Sequence, residues 1–593
     1  MNATPNARPP LSLPWREVLA VALLLALVCV LAWPGMSAPW LLDDLDQMSH
    51  VSRFTSWKDC VGRDCYGFFR PVKNLIFFSF GHLHLFPWHA LNLAIYLVAI
   101  GAVYLLLRRL LDSRVWALAA VTLWATCPTQ ASSAVWMSCV NISVAITLAC
   151  ACLYFHDRSQ AKSGHKAGWT VLTCLGLFLA QCSYETAVSV PALCILVDAL
   201  RKRPLLSRAA ILHYALLAAV TLTYLAIRAS VGAVFSLQTV HMGFAPDTQG
   251  WQLAVSAPWF LWRHFSMWLM PAGRIEFCGN YIWGISAAPW ELAAAWGWLL
   301  LLIGSVWLTW KRQPWLAFGV LWFLIASFPT SNFIPLWTGP IADYYLIFPG
   351  IGLAIALVGC AKGLLDWMTN AHTNPESQRP LIGGALLCFI ALWRVLCVPL
   401  FWLQASLWCR PLDLYLQCEL TRPAQYQLQA LAAQEVFRLG DFQQAKELAE
   451  ISHATAPWHG ISSMILASIA LEAADYDQAE KHFHEVLRNT PADSSVYAHA
   501  TFSLAKTFMA QESKRKLVRE TLLPLLTNPY GSYHLKAINL QLDCYLAENQ
   551  PNAAHSAAAK AVQLHPQNTQ LMARLKDIEE KSPASVVSPP PPK

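Results

Sequence analysis

Charge is scarce in this chain. Only 13% of its 593 residues are Asp, Glu, Lys or Arg, against 56% hydrophobic residues. With 27 Trp and 26 Phe, that balance sets it among polytopic membrane proteins. No basic stripe is interleaved with aromatics, so the formal charge of +7 argues for cytoplasmic loops of a membrane protein rather than a nucleic-acid surface. C-x-x-C and H-E-x-x-H spacings are absent, which leaves a transition-metal site without sequence support. A P-loop, a dinucleotide fingerprint and a G-x-S-x-G elbow are missing as well. Most of the 17 cysteines fall inside apolar runs, where Cys acts as a small hydrophobe. Cys60 and Cys65 are the exception, five apart in a polar loop where a bridge is possible in an oxidising space.

Long apolar runs are what the chain has instead. They cover 17–36, 88–107, 115–132, 137–155, 167–182, 186–200, 209–228, 294–310, 314–333, 344–361 and 382–402, about eleven spans. With residues 1–16, including Arg8 and Arg16, in the cytoplasm, even-numbered spans return to Arg108, Arg109 and Arg114, then to Arg158, Lys162 and Lys166. Later ones return to Arg201, Lys202 and Arg203, to Lys311 and Arg312, and to Lys362 and Arg379. These clusters share one side, as the positive-inside rule requires. The other side receives the loop 37–87, the turn at Glu185, the segment 229–293, the turn 331–343 and everything after 403. The first run lacks a clear cleavage site and reads as an uncleaved span. Residues 251–270, with Trp251, Trp259, Trp262, Phe265 and Trp268, read as an amphipathic helix in the outer interface. An aromatic belt without ligand contact fits them equally.

Near residue 403 the composition turns to Ala, Gln, Glu and Leu at helical spacing. Gly440-Asp441-Phe442 with Ala445, Ala449 and Pro457 matches Ala474-Asp475-Tyr476 with Ala479, Phe483 and Pro491, displaced by 34 residues. A later unit carries Ala554, Ala558, Ala561 and Pro566, and a degenerate one at 497–530 ends near Pro529. These resemble tetratricopeptide repeats, about four over 420–580, in which small residues let two helices cross and proline ends the second. The tail 581–593, with Pro589 to Pro592, is compositionally disordered.

Six passages recur in a family's order. Leu42-Asp43-Asp44 stands in the first outer loop, and Phe69-Arg70-Pro71-Val72 resembles a Tyr-Arg-Pro-Leu. Cys127-Pro128 through Trp136 resembles a His-Pro-led turn, and Tyr184-Glu185-Thr186 through Asp198 a Lys-Glu-Gln turn with its short span. Tyr224 to Arg228 resembles Tyr-Leu-Ala-Leu-Arg. Pro329-Thr330-Ser331-Asn332 with Ala342-Asp343-Tyr344-Tyr345-Leu346 follows a Pro-x-Ser-Asn … Ala-Glu-Arg pattern. The chain thereby resembles integral-membrane glycosyltransferases of the GT-C fold, and more narrowly the transmembrane and tetratricopeptide-repeat protein O-mannosyltransferases. The resemblance implies an all-α protein: a GT-C-like membrane domain over 17–405 and an α-solenoid behind it. It also implies transfer of a sugar from a polyprenyl-phosphate donor to an extracytoplasmic protein Ser/Thr hydroxyl at the cytoplasmic (inner) membrane. The family's charged turn reads Cys127, Gln130 and Ser132 here, its following Arg-x-Asp reads Val140 and Ile142, and Ala-Glu-Arg becomes Ala-Asp-Tyr.

Such a transfer needs a carboxylate to take the acceptor's proton and cations to hold the departing phosphate. Asp43 and Asp44 are the base candidates; mutual repulsion, Asp46 and the nearby bilayer should raise one pKa. A helix-capping or interfacial pair is the bland alternative. The resemblance favours Asp43 as base with Asp44 orienting it. Arg70 leads the phosphate ligands because guanidinium binds phosphate bidentately. Lys73, Arg228 and Arg263 follow, though Arg70 and Lys73 also suit interfacial anchors. Glu185, His264 and Asp343 are supporting candidates, His264 also suiting a helix cap. Whether a divalent cation assists the acids stays open. The repeats share the acids' compartment and suit docking of an acceptor protein. A ligase or polymerase of lipid-linked glycans, or a non-catalytic scaffold for envelope assembly, are the other classes.

Overall fold

The computed structural model describes residues 14–161, 165–233, 243–334, 339–369, 379–421, 425–490, 492, 494–527 and 533–581. Among them the chain is all-helical, without strands. Two isolated bridges, Phe244 with Tyr281 and Gly279 with Ile341, are the exception to helix and loop. It forms two compact units, Met1–Pro423 and Ala424–Lys593. Arg8, Lys162, Pro491, Pro529, the tail from Ser582, 234–242 of the outer segment and 335–338 of the turn 331–343 lie outside the described residues.

In the first unit seven described helices are long and apolar enough to cross a membrane: Trp15–Ser37, Leu85–Leu110, Met137–Ser159, Arg208–Ser230, Pro289–Thr309, Pro349–Thr369 and Ile382–Leu407. The other four apolar runs form shorter or less apolar helices, Arg114–Ala125, Lys166–Ser183, Val190–Leu200 and Pro314–Ser327. Proline explains three of the four. Pro128 holds Cys127 in an extended conformation and ends the run begun at Arg114. Pro191 opens the helix at Val190 after a 3₁₀ turn, and Pro329 follows the helix that ends at Ser327. Two of these helices touch through glycine. A Cβ on Gly319 would stand 2.4 Å from backbone atoms of Gly352 and Ala356, so any side chain there would force apart Pro314–Ser327 and Pro349–Thr369.

Charges from the ends of five helices meet in two ion-pair groups, joined through the adjacent Arg108 and Arg109. Glu17 accepts from Tyr104 and pairs with Arg108 and Arg114, while Asp157 pairs with Arg109, Arg201 and Arg203, and Arg201 reaches Asp112. Two of the five basic clusters that the sequence puts on one side, those at 108–114 and 201–203, thus share Asp157 in the fold.

The second unit contains nine described helices: Tyr426–Arg438, Phe442–Thr455, Gly460–Glu472, Tyr476–Asn489, Ser495–Ala510, Leu517–Leu526, His534–Ala547, Pro551–Leu564 and Thr569–Lys581. Each packs on the next, and the first, third, fifth and seventh also pack in succession. One local device recurs. Gly440 and Ala474 both adopt a left-handed backbone, and the following Asp441 and Asp475 each accept the amide N–H of Gln444 and Gln478 as N-caps. Ala445, Ala449, Ala479 and Phe483 are fully buried, the positions where the 34-residue displacement puts small or aromatic residues.

Candidate functional site

The first long helix closes in a 3₁₀ turn, Trp33–Ser37, and the chain reaches Leu42, whose φ of 53° is a left-handed conformation costly for a branched residue. The helix Asp43–Val51 begins directly after it. Asp43, Asp44 and Asp46 lie in its first turn, where the helix dipole favours negative charge. Asp44 is buried: Ser138 Oγ donates to its Oδ1 at 2.6 Å and the Leu41 amide donates to Oδ2 at 3.2 Å. Asp43 is half-buried. The Tyr66 hydroxyl donates to Asp46 Oδ2 at 3.0 Å and also lies against Asp43. Gln47 ties this helix to the helix Pro71–Phe80 by donating to Asn74 Oδ1 at 2.9 Å.

Burial lifts the Asp44 carboxyl to about 7 against the opposing bonds from Ser138 and Leu41, with the charge of Asp43 adding to the rise. Burial also raises Asp43 above the usual carboxylate range. Lys73, Tyr66 and Arg70 counter that rise, and Asp46 reinforces it.

The cations divide into two kinds. Lys73 is buried, its ammonium 6.0 and 5.9 Å from the ring centres of Tyr66 and Phe77, close enough for its charge to act on both Asp43 and Asp44. Arg70, expected to lead the phosphate ligands, is instead held by a carboxylate. Its Nε and Nη2 donate to Glu185 at 2.8 and 2.5 Å, its Nη1 stands 3.6 Å from Asp64, and Phe68 and Tyr184 flank it. Burial alone would raise Glu185, but the charge and hydrogen bonds of Arg70, with Arg228, bring it below its ordinary value. Arg228 is buried beside Phe68 and donates from Nε to the Ala233 carbonyl at 2.9 Å. Arg263 is likewise taken up, by the fully buried Glu276. A guanidinium already paired in low dielectric has less charge to offer a phosphate.

His264 does not stand as a cationic donor. Burial, then the neighbouring Arg263, pushes it down to about 3, and its Nε2 accepts the Ala342 amide at 3.4 Å. Asp343 is fully buried, bonded by the Ser132 hydroxyl and by the Tyr344 amide at 2.7 Å, and burial raises it to about 7. Ser132 and Asp343 are two of the positions that depart from the resembled motifs, and the fold brings them together.

Tyrosines join the parts. The Tyr344 ring packs 5.6 Å from Trp136 and 4.8 Å from Tyr345, near enough to Asp43 and Tyr184 to feel both. The charges of Asp43, Asp44, Lys73 and Asp343 all act on the buried Cys139, and Tyr344 links Asp43 to Tyr184, which flanks the Arg70–Glu185 pair. Arg263 connects to the Asp343 backbone through Glu276, whose carbonyl accepts the Asp343 amide at 2.7 Å, and His264 through the neighbouring Ala342 amide. Beside the acid helix, Trp40, Leu45, Met48, Leu83 and Phe86 line an apolar recess of about 720 Å³. Both oxygens of Asp44 accept bonds from the chain, and Lys73 places a positive charge beside both acids.

Cys60 and Cys65 form no bridge. Both are free; Cys65 Sγ donates to Gln47 Oε1 at 3.2 Å, and Asn74 donates to the Cys60 backbone carbonyl at 3.2 Å. On the helix Gly250–Leu269, Trp251 and Trp262 are exposed while Trp259 and Trp268 are buried, the latter under Arg394. Tyr66, Ser138, Glu276 and Asp64 carry contacts that no spacing in the sequence announced. Tyr184 and Tyr344 lie inside quoted motifs without having been singled out.

No protein-family model matches this chain, and no curated protein matches it.

Proposed function

We propose that the first unit is a membrane glycosyltransferase that moves a sugar from a polyprenyl-phosphate donor to an extracytoplasmic acceptor, a protein Ser/Thr hydroxyl. The observation that carries it is Asp43: a half-buried carboxylate of raised pKa, one residue from the anchored Asp44, with Lys73 beside it. Asp43 accepts the acceptor's proton as its oxygen attacks the anomeric carbon. The bond from that carbon to the phosphate oxygen breaks, and the polyprenyl phosphate leaves with the electron pair, inverting the centre. Lys73 meets the growing phosphate charge, with Arg228 second. Asp44 positions Asp43, and the Arg70–Glu185 pair fixes the wall of the site. The apolar recess beside the acid helix suits the first isoprene units of the lipid.

In this reading the shorter apolar helices cross the membrane with the seven long ones to make about eleven spans. The acids face the outer side of the cytoplasmic membrane. Ala424–Lys593 is a tetratricopeptide-like solenoid that holds the acceptor polypeptide in the same compartment. The neutralised Arg70 and Arg263 favour a second reading, a non-catalytic scaffold. Mass spectrometry of envelope proteins and glycolipids from cells with and without the chain tests both. Loss of a hexose from polypeptide supports transfer; unchanged glycans with altered envelope assembly support the scaffold.

A further inference from the structure

Three potential metal ligands converge in the second unit. His453 lies in the last turn of Phe442–Thr455, and His482 and Glu485 lie one turn apart on Tyr476–Asn489. One nitrogen from each histidine and a Glu485 oxygen all fall within 4.8 Å of one another. His482 Nδ1 is 2.9 Å and His453 Nε2 3.9 Å from Glu485 Oε2, and the two rings stand perpendicular with centres 5.7 Å apart. Ligands around a tetrahedral zinc ion are about 3.3 Å apart, given bonds of about 2.0–2.1 Å. The two separations to Glu485 bracket that value and the two histidine nitrogens lie within 4.8 Å, so side-chain adjustment of about 1.5 Å or less closes the site.

The outer partner is also present. Ser463 Oγ lies 3.2 Å from His453 Nδ1, which leaves Nε2 as the atom turned toward Glu485. A ligating histidine is ordinarily fixed through its other nitrogen in this way. All three residues are partly exposed, which gives an ion access and leaves room for water as a fourth ligand. Nor is the trio a by-product of the repeat: shifting back 34 residues puts Leu448 and Ile451 where His482 and Glu485 stand.

We propose that His453, His482 and Glu485 bind a divalent transition cation, Zn²⁺, and that the ion clasps two helices of successive hairpins in the second unit. C-x-x-C and H-E-x-x-H spacings do not describe it because its ligands come from two helices, with the histidines 29 positions apart.

The test uses full-length protein in detergent without a polyhistidine tag, stripped with chelator, dialysed with Zn²⁺ and assayed for retained metal and thermal midpoint. Wild type should retain about one zinc per chain and melt higher with it. His482→Gln and His453→Ala should lose both effects, while His555→Ala, at a separate histidine paired with Glu579, should keep them. Ser463→Ala should weaken zinc binding about tenfold. Should His453→Ala fail to fold, His482→Gln, close in volume, decides alone. Equal zinc retention in wild type and His482→Gln, or none in wild type, overturns the proposal.

Discussion

Arg70 grips both carboxylate oxygens of Glu185 across 115 positions of sequence. The pair fastens the loop 37–87 to the turn between Lys166–Ser183 and Val190–Leu200, and both side chains are largely buried. Glu185→Gln strands the guanidinium and should cost about 3–5 kcal/mol of stability. A double change, Arg70→Met with Glu185→Leu, should cost less than the sum of the single ones. Denaturation in detergent checks both, and additivity would show the pair uncoupled.

Asp44 should make stability depend on pH. Its carboxyl rises from 3.8 to about 7 on folding, so the folded chain holds this proton more tightly than the unfolded one. The contribution is complete below 3.8 and declines as pH rises through about 7. Asn at this position cannot titrate. Thermal midpoints of wild type and Asp44→Asn across this range should differ in slope, and parallel curves would contradict the assignment.

Lys73 should set the acid limb of the activity profile. Its charge lowers the pKa of Asp43, opposing burial, so Lys73→Met should shift that limb to higher pH as well as weaken donor binding. Donor turnover against pH checks the direction. An unmoved limb would mean that Asp43 is not the titrating base.

Truncation after Pro423 should separate chemistry from acceptor capture. Donor hydrolysis and transfer to a short Ser/Thr peptide should persist, while modification of folded protein acceptors falls. Equal loss of both would remove the docking role from the second unit.

Much of this was legible in the sequence. The long apolar helices follow from uninterrupted runs, and the matching turns at Gly440-Asp441 and Ala474-Asp475 from the 34-residue displacement. The acids' place after the first helix was equally readable. What the sequence hid are partners fixed by tertiary contact. Ser138 meets Asp44 from 94 residues away and Ser132 meets Asp343 from 211, and neither hydroxyl differs in sequence from an ordinary helix serine. Arg70 and Arg263 looked like free phosphate ligands because burial decides whether a guanidinium is spent on a carboxylate, and burial is not local. Prolines 128, 191 and 329 were visible, but hydropathy averaged over a window passes across them, which is why three runs that fold as shorter helices look long enough to span in the sequence.

The most direct test of the central claim is transfer by reconstituted protein carrying Asp43→Asn, beside Asp46→Asn, with a polyprenyl-phosphate hexose and a Ser/Thr peptide, read by mass spectrometry of the peptide. Removing the base should lower the rate by about 10²–10⁴-fold with the fold intact, whereas Asp46→Asn, which leaves the base in place, should retain transfer with an acid limb moved to lower pH. A hexosylated peptide formed at the wild-type rate by Asp43→Asn would contradict the account.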